Sequence, residues 1–303
     1  MSSEQCKLLS PLSSISKYFR YVRAVLTFND HPCITFKSKI FPKLQLDSGD
    51  SSRLRTFFNI HKGKRCFVLG NGPSLSKLDL NLLKDEIIIG SNGVYKLFDQ
   101  FNFCPEYLIF QDALTIAKKA EEINHIKGVT KLVALHASHL LKRDSDTMFF
   151  YLANHLGWHE ISPDNQSIIK ENLPLFSNNF SAFASNLGNV THTALQLAYY
   201  LGCDPVYIIG CDHSHGSLCK HYRPGHVKIN EENFHHFQNN HFTKNYYKIG
   251  DYIGVPYYKF ESLGYSTANE FFNKQSRVLL NAGIESQIDS IPKTDYLKLF
   301  DLS

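Results

Sequence analysis

The sequence predicts an α/β protein: a mostly parallel sheet covered by helices on both faces, with a lid region towards the C-terminus. Three observations predict it. Short, continuous apolar runs recur along the chain, as strands buried on both faces require. Segments of helical period fall between them. Four of the runs stop at glycine or polar residues: Gly70-Asn71, Ser91-Asn92, Gln111-Asp112 and Asp212-His213. Ligands of parallel sheets sit beyond the carboxyl ends of the strands, so this coincidence also marks a candidate site.

Residues 1–60 have weak periodicity and read as an N-terminal leader or arm. Within them, Tyr18–Phe28 mixes basic and aromatic residues. That mixture suits peripheral contact with a membrane surface; the plainer reading is a helix or arm packed on the domain. The main domain is expected over 61–283. Its first strand is Arg65–Leu69, which runs into a glycine loop, with Ser74 or Ser76 placed to cap a short helix. Further strands are expected at Glu86–Gly90, Tyr107–Phe110 and Lys131–Leu135. Residues 140–185 form a polar, aromatic-rich insertion with few clear periods.

A helix is expected from Val190 to Leu201, because Val190, Ala194, Leu197, Ala198 and Leu201 fall near helical spacing. Gly202 closes it as a C-terminal glycine. Pro205–Gly210 is the next strand. Residues 213–257 hold seven of the 15 His and few aliphatics, which reads as a long functional loop or lid. A helix near Tyr258–Lys274, a short apolar run at Val278–Leu280 and a tail over 284–303 complete the chain.

Composition limits the function. The 303 residues are 43% hydrophobic and 20% charged, which suffices for a substantial core. A net charge of +4 is too weak to argue for nucleic acid; it fits an anionic substrate or a membrane-adjacent partner. The seven Cys form no C-x-x-C pair and read as buried thiols in a reducing compartment. With no apolar run of spanning length and no signal-peptide core, the expected location is cytoplasmic, with the inner face of a membrane left open. The oligomeric state is left open.

The loop Gly70-Asn71-Gly72-Pro73-Ser74-Leu75 is the first chemical candidate. Glycines let backbone N–H groups approach a phosphate, and a helix starting behind them adds its dipole. The loop has neither the dinucleotide nor the P-loop spacing, and an ordinary tight turn is the competing reading. Asn71 and Asn92 follow strands and are placed to fix a ribose, base or phosphate, or merely to form turns. Asp112 and Asp212 read as Mg²⁺ ligands near phosphates or as helix caps. In Asp212-His213-Ser214-His215-Gly216 the irregular His spacing disfavours a dedicated transition-metal site. An imidazole acting as general acid or base is the better reading, with His213 or His241 as candidates. Lys220 and Arg223 lie near enough in sequence to neutralise phosphate. The absence of a G-x-S-x-G elbow disfavours a serine hydrolase.

The residues His61–Leu75, Gly188–Gly202 and Val206–Ser214, followed by His241–Tyr246 and Leu280–Gly283, together resemble the broad family named after the archaeal-type 6-hydroxymethylpterin diphosphokinase. That family also includes flagellin-associated proteins. The Gly-Asn-Gly-Pro-Ser-Leu loop is also similar to that of small bacterial sialyltransferases with a single Rossmann-like domain. The resemblance implies a Rossmann-like fold with nucleotide held by Gly70, Asn71, Gly72, Pro73, Ser74, Asn92, Asp112, Asn189 and Thr191. It implies His241 as general base, with Asp212 and His213 as further catalytic candidates. The function it implies is transfer of a CMP-activated sugar to a glycan acceptor in bacterial surface-glycan synthesis, without a required metal. The alternatives are a Mg²⁺-dependent diphosphokinase, passing pyrophosphate from ATP to a hydroxymethylpterin-like alcohol, and a non-catalytic sugar-nucleotide-binding or scaffold protein.

Overall fold

The computed structural model describes residues 50–101, 104–154, 174–214, 218, 221–223, 225–238, 240–242 and 246–302. The segment Tyr18–Phe28, His215, Gly216 and Lys220 lie outside them.

Seven parallel strands form the central sheet. In chain order they are β1 (Cys66–Leu69), β2 (Ile87–Ser91), β3 (Tyr107–Phe110), β4 (Thr130–Ala134), β5 (Thr147–Phe150), β8 (Val206–Ile209) and β11 (Leu279–Asn281). Their spatial order is β11-β8-β1-β2-β3-β4-β5. Two small pairs stand apart from this sheet: parallel β6 (Leu152–Asn154) with β7 (Ala184–Asn186), and the antiparallel hairpin β9 (Gly225–Lys228) with β10 (Tyr252–Val255). The principal helices are α1 (Asp50–Arg55), α2 (Ala113–His125), α3 (Val190–Tyr200) and α4 (Tyr258–Lys274).

The strands alternate between two cores, as a period of two demands. On β1, Cys66 and Val68 pack with Leu54 of α1, Ala194 and Leu197 of α3, and Tyr265 and Phe272 of α4. Phe67 and Leu69 pack on the other face with Ala113, Ile116 and Ile123 of α2. Each fully buried side chain of this kind stabilises the fold by about 1.5–3 kcal/mol. The architecture is therefore a doubly wound, Rossmann-like sheet.

The expected strands at Arg65–Leu69, Glu86–Gly90, Tyr107–Phe110, Lys131–Leu135 and Pro205–Gly210 all form, within a residue or two of the ends. So do the helices at Val190 and Tyr258. The 140–185 insertion hides a sheet strand, β5, whose four residues are all buried. Asp50 of α1 is fully buried, accepts from Phe149 N–H of β5 at 3.2 Å and pairs with Arg143. Asn59 and His61 donate backbone N–H groups to the carbonyls of Tyr200 and Leu201. Residues 50–60 are thus part of the packed body. The end of the chain also packs: Tyr296 lies edge-on to Phe67, and Phe300 stacks on it. Neither Ser74 nor Ser76 caps the segment after β1. That segment is a short 3₁₀ turn, Pro73–Lys77, entered from Gly72, with proline at its first position. Among the described residues no helix is long and apolar enough to cross a membrane.

Strand order fixes where a site can lie. From β1 the chain winds outward through β2, β3, β4 and β5, then returns through α3 to place β8 on the other side of β1. The connections leaving β1 and β8 diverge, opening a crevice at their carboxyl ends, which is where ligands bind in open α/β sheets.

Candidate functional site

A cavity of about 280 Å³ occupies that crevice. Its floor comes from the strand ends: Gly70 to Pro73 after β1, Ser91 and Asn92 after β2, Gln111 and Asp112 after β3, and Gly210 to Ser214 after β8. The first turns of α2 and α3 reach it through Leu114, Thr115, Asn189, Val190 and Thr191. Its roof is Asn240, His241 and Tyr247, with Tyr252 to Val255 of the hairpin. Glu261 and Tyr265 of α4 close one side.

Glycine is required at both ends of β1's loop because two backbones meet there. Gly70 N–H donates to Ile209 C=O at 2.9 Å, and Gly72 N–H to Gly210 C=O at 2.7 Å. A Cβ at Gly70 would sit 2.8 Å from Cys211 Sγ and closer still to the Gly210 carbonyl oxygen. A Cβ at Gly72 would fall 2.6 Å from both carboxylate oxygens of Asp212. Gly210 itself has φ +62°, a conformation open to glycine. The space beside Gly72 therefore belongs to Asp212 rather than to a ligand.

Asp212 is buried and ties the loop down. Its carboxylate accepts from Ser74 N–H at 2.8 Å and from Ser74 Oγ. Ser74 is wholly buried and held by this clamp. Asp112 caps α2 by accepting from Thr115 N–H at 2.6 Å. Thr191 lines the cavity, but its hydroxyl lies 3.7 Å from Cys211 Sγ and hydrogen-bonds Tyr265. Burial pushes the Cys211 thiol up to about 12, so it is neutral at physiological pH.

Three asparagines behave differently. Asn71 Nδ2 donates to the carbonyl and hydroxyl of Ser91 at 3.0 and 3.1 Å, which leaves its Oδ1 buried without a partner. Asn189 Oδ1 accepts from His192 N–H at 2.7 Å as the cap of α3, which leaves its Nδ2 in the same state. Asn92, at φ +47°, has a buried Oδ1 with no partner. An unmet buried polar group costs about 1–3 kcal/mol. These networks also fix polarity, since Asn71 offers an acceptor and Asn189 a donor.

The expected histidines separate. His213, at φ +52°, is buried, with Nε2 3.0 Å from Ser262 Oγ and Nδ1 3.2 Å from Glu261. It stacks on Tyr258 at 4.1 Å. Nε2 is thus hydrogen-bonded to α4 while Nδ1 faces Glu261 of the same helix, and His213 fastens the end of β8 to that helix. His241 instead lies in the roof. It stacks on Tyr246 at 3.9 Å, and its Nε2 is 3.3 Å from Tyr247 Oη. Phe242 N–H donates to Asn71 C=O at 3.1 Å, so the roof segment is docked on the glycine loop.

Sequence reasoning missed Glu261, Gln111, Asn186, His226 and the Tyr252–Val255 strand as cavity walls. Gln111 was visible as punctuation after β3. Glu261 was not, because it sits inside an amphipathic helix. Burial pushes His226 down, against the pull of Asp112, which favours the neutral ring. Among the described lining residues the fixed charges are the carboxylates Asp112, Asp212 and Glu261; none is lysine or arginine. Arg223 is exposed and does not line it.

The fold and the cavity define a doubly wound α/β protein with a cavity at its strand ends. A family profile described as 6-hydroxymethylpterin diphosphokinase MptE-like matches residues 45–217. The chain belongs to this MptE-like family. No curated protein matches it. Among solved structures, a Maf glycosyltransferase from Magnetospirillum magneticum AMB-1 is similar with a TM-score of 0.44 and 13% identity, over 81% of this chain. The chain spans 38% of the length of that protein.

Proposed function

We propose that the protein is a transferase that takes a sugar from a CMP-activated donor and passes it to a hydroxyl of a glycan acceptor, in bacterial surface-glycan synthesis. The observation that carries this reading is the charge of the cavity. Three carboxylates line it, and no lysine or arginine does so among the described residues. A triphosphate would bring several further negative charges into that setting, at a cost only paired cations offset. A CMP-sugar carries one negative charge on its bridging phosphate. The first turn of α3, capped by the neutral Asn189, suits that single charge through its amide end.

The asparagine polarity supports the same ligand. Asn71 Oδ1 and Asn92 Oδ1 would accept from hydroxyl or amino groups, and Asn189 Nδ2 would donate to a phosphate or carbonyl oxygen. His241 would take the proton of the acceptor hydroxyl as that oxygen attacks the anomeric carbon. The bond from that carbon to the phosphate oxygen breaks, and CMP leaves with its charge held by backbone N–H groups.

The diphosphokinase reading rests on the family's name and would need Mg²⁺. Of the carboxylates expected to hold it, Asp212 accepts from Ser74 on both oxygens, and Asp112 caps α2 through one of its two. Among the described residues no group of three or more His, Cys, Asp or Glu could hold a metal ion.

A thermal-shift series with CMP, CDP, UDP, GDP and ATP, each with and without Mg²⁺, tests the proposal. At a ligand concentration 100-fold above Kd, a native-state binder adds about 2.7 kcal/mol of stability. CMP is expected to raise Tm without metal. A rise with ATP and Mg²⁺ alone would replace this reading with the diphosphokinase.

A further inference from the structure

We propose that Lys119 is a positioning residue that, through the ring of Tyr246, holds His241 over the cavity. The proposal rests on the reading of His241 as the base. Lys119 is buried, at 5% exposure, and among the described residues its Nζ has no hydrogen-bond partner. It lies against an aromatic face: Nζ is 3.9 Å from the centre of the Tyr246 ring. His241 stacks 3.9 Å from the same ring, with the planes 15° apart. A desolvated ammonium on an aromatic face is a strong form of cation–π contact.

The rest of the neighbourhood serves the same ring. Tyr246 Oη takes a hydrogen bond from Gly93 N–H, and a side chain at Gly93 would collide with that ring. Lys96 Nζ lies 5.5 Å from the Tyr246 ring centre, and Lys118 Nζ lies 5.7 Å from that of Tyr247 while pairing with Asp251. α2 gives up helical geometry at Lys119 itself, with φ −107° and ψ 15°. Burial, then Lys96 and Lys118, pull the Lys119 ammonium down to about 8, against Glu122 and Asp251, so it remains mostly charged at pH 7. A lysine buried at this cost, set directly against an aromatic face, is explained if the face it orders carries the base.

The test needs no transferase assay, so it fails separately from the reading of His241. Amide hydrogen exchange of the roof residues 240–242, 246 and 247 and the titration of His241 by NMR are compared in wild type, Lys119→Met and Lys119→Arg. Lys119→Met keeps the apolar stem and removes the charge. It is expected to speed exchange of those residues by about fivefold or more. It is also expected to raise the His241 midpoint by about half a unit, because a nearby cation is lost. Lys119→Arg is expected to restore both. Exchange and midpoint both unchanged in folded Lys119→Met would overturn the proposal. If Lys119→Met does not fold, Tyr246→Leu removes the face from the other side: faster exchange supports the coupling, and wild-type exchange overturns it.

Discussion

Gly70→Ala is expected to cost about 3 kcal/mol or more of folding stability, among the largest effects a single methyl group can have. For a body of this size that lowers Tm by roughly 6–12 °C. The added Cβ would sit 2.8 Å from Cys211 Sγ and press on the Gly210 carbonyl, which belongs to backbone and cannot rotate away. Relief requires β1 and β8 to separate, and their register (Leu69 opposite Ile209) is the hinge of the whole crevice. Gly72→Val acts on the neighbouring contact. It would displace the Asp212 carboxylate and leave Ser74, wholly buried, without acceptors for its N–H and hydroxyl. Any loss of nucleotide binding there would follow from a collapsed loop rather than from a blocked ligand. A calorimetric Tm for Gly70→Ala within about 2 °C of wild type would mean that the two backbones are not in this contact.

His241→Ala is expected to lower kcat on a CMP-sugar by roughly 10²–10⁴, the usual worth of a positioned general base. Donor affinity should change by less than about threefold, because the ring stacks on Tyr246 and removal leaves the strand-end floor intact. His213→Ala should behave in the opposite way. With its nitrogens facing Glu261 and Ser262, that ring joins β8 to α4, and its loss is expected to appear as stability before it appears as turnover. Equal kcat in wild type and His241→Ala would remove His241 as the base.

Much of this arrangement was legible in the sequence because its signals are local. A continuous run such as Phe67–Leu69 ending in glycine requires a buried strand and a turn, whatever surrounds it. The same holds for Val206–Ile209, and the spacing of Val190 to Leu201 declares a helix. β5 was missed although Met148–Ala153 is a continuous apolar run, because polar, aromatic-rich sequence around it masks the period, and pairing with β4 shows it to be a sheet strand. α1 was illegible for a similar reason: its six residues are held by Asp50 reaching Phe149 and Arg143 across the fold.

The site was legible as an address more than as a set of roles. Strand-end punctuation located Asn71, Asn92, Asp112 and Asp212 around one cavity. It could not separate a ligand contact from a structural bond, since that depends on partners distant in sequence. Ser74 finds Asp212 across 138 positions, and His213 finds Ser262 across 49. For Asp112, the helix-cap reading available from sequence is the geometry present; Asn189, not read as a cap from sequence, also caps a helix and keeps one amide group to spare.

The most direct test of the central claim is an NMR titration of the side-chain amide groups of Asn71, Asn92 and Asn189 with CMP. The account predicts that all three pairs of Nδ2–H signals move and saturate together, because the unmet Oδ1 atoms of Asn71 and Asn92 and the Nδ2 of Asn189 gain partners in one binding event. CMP binding by calorimetry while these three signals stay fixed would place the nucleotide elsewhere and contradict the account.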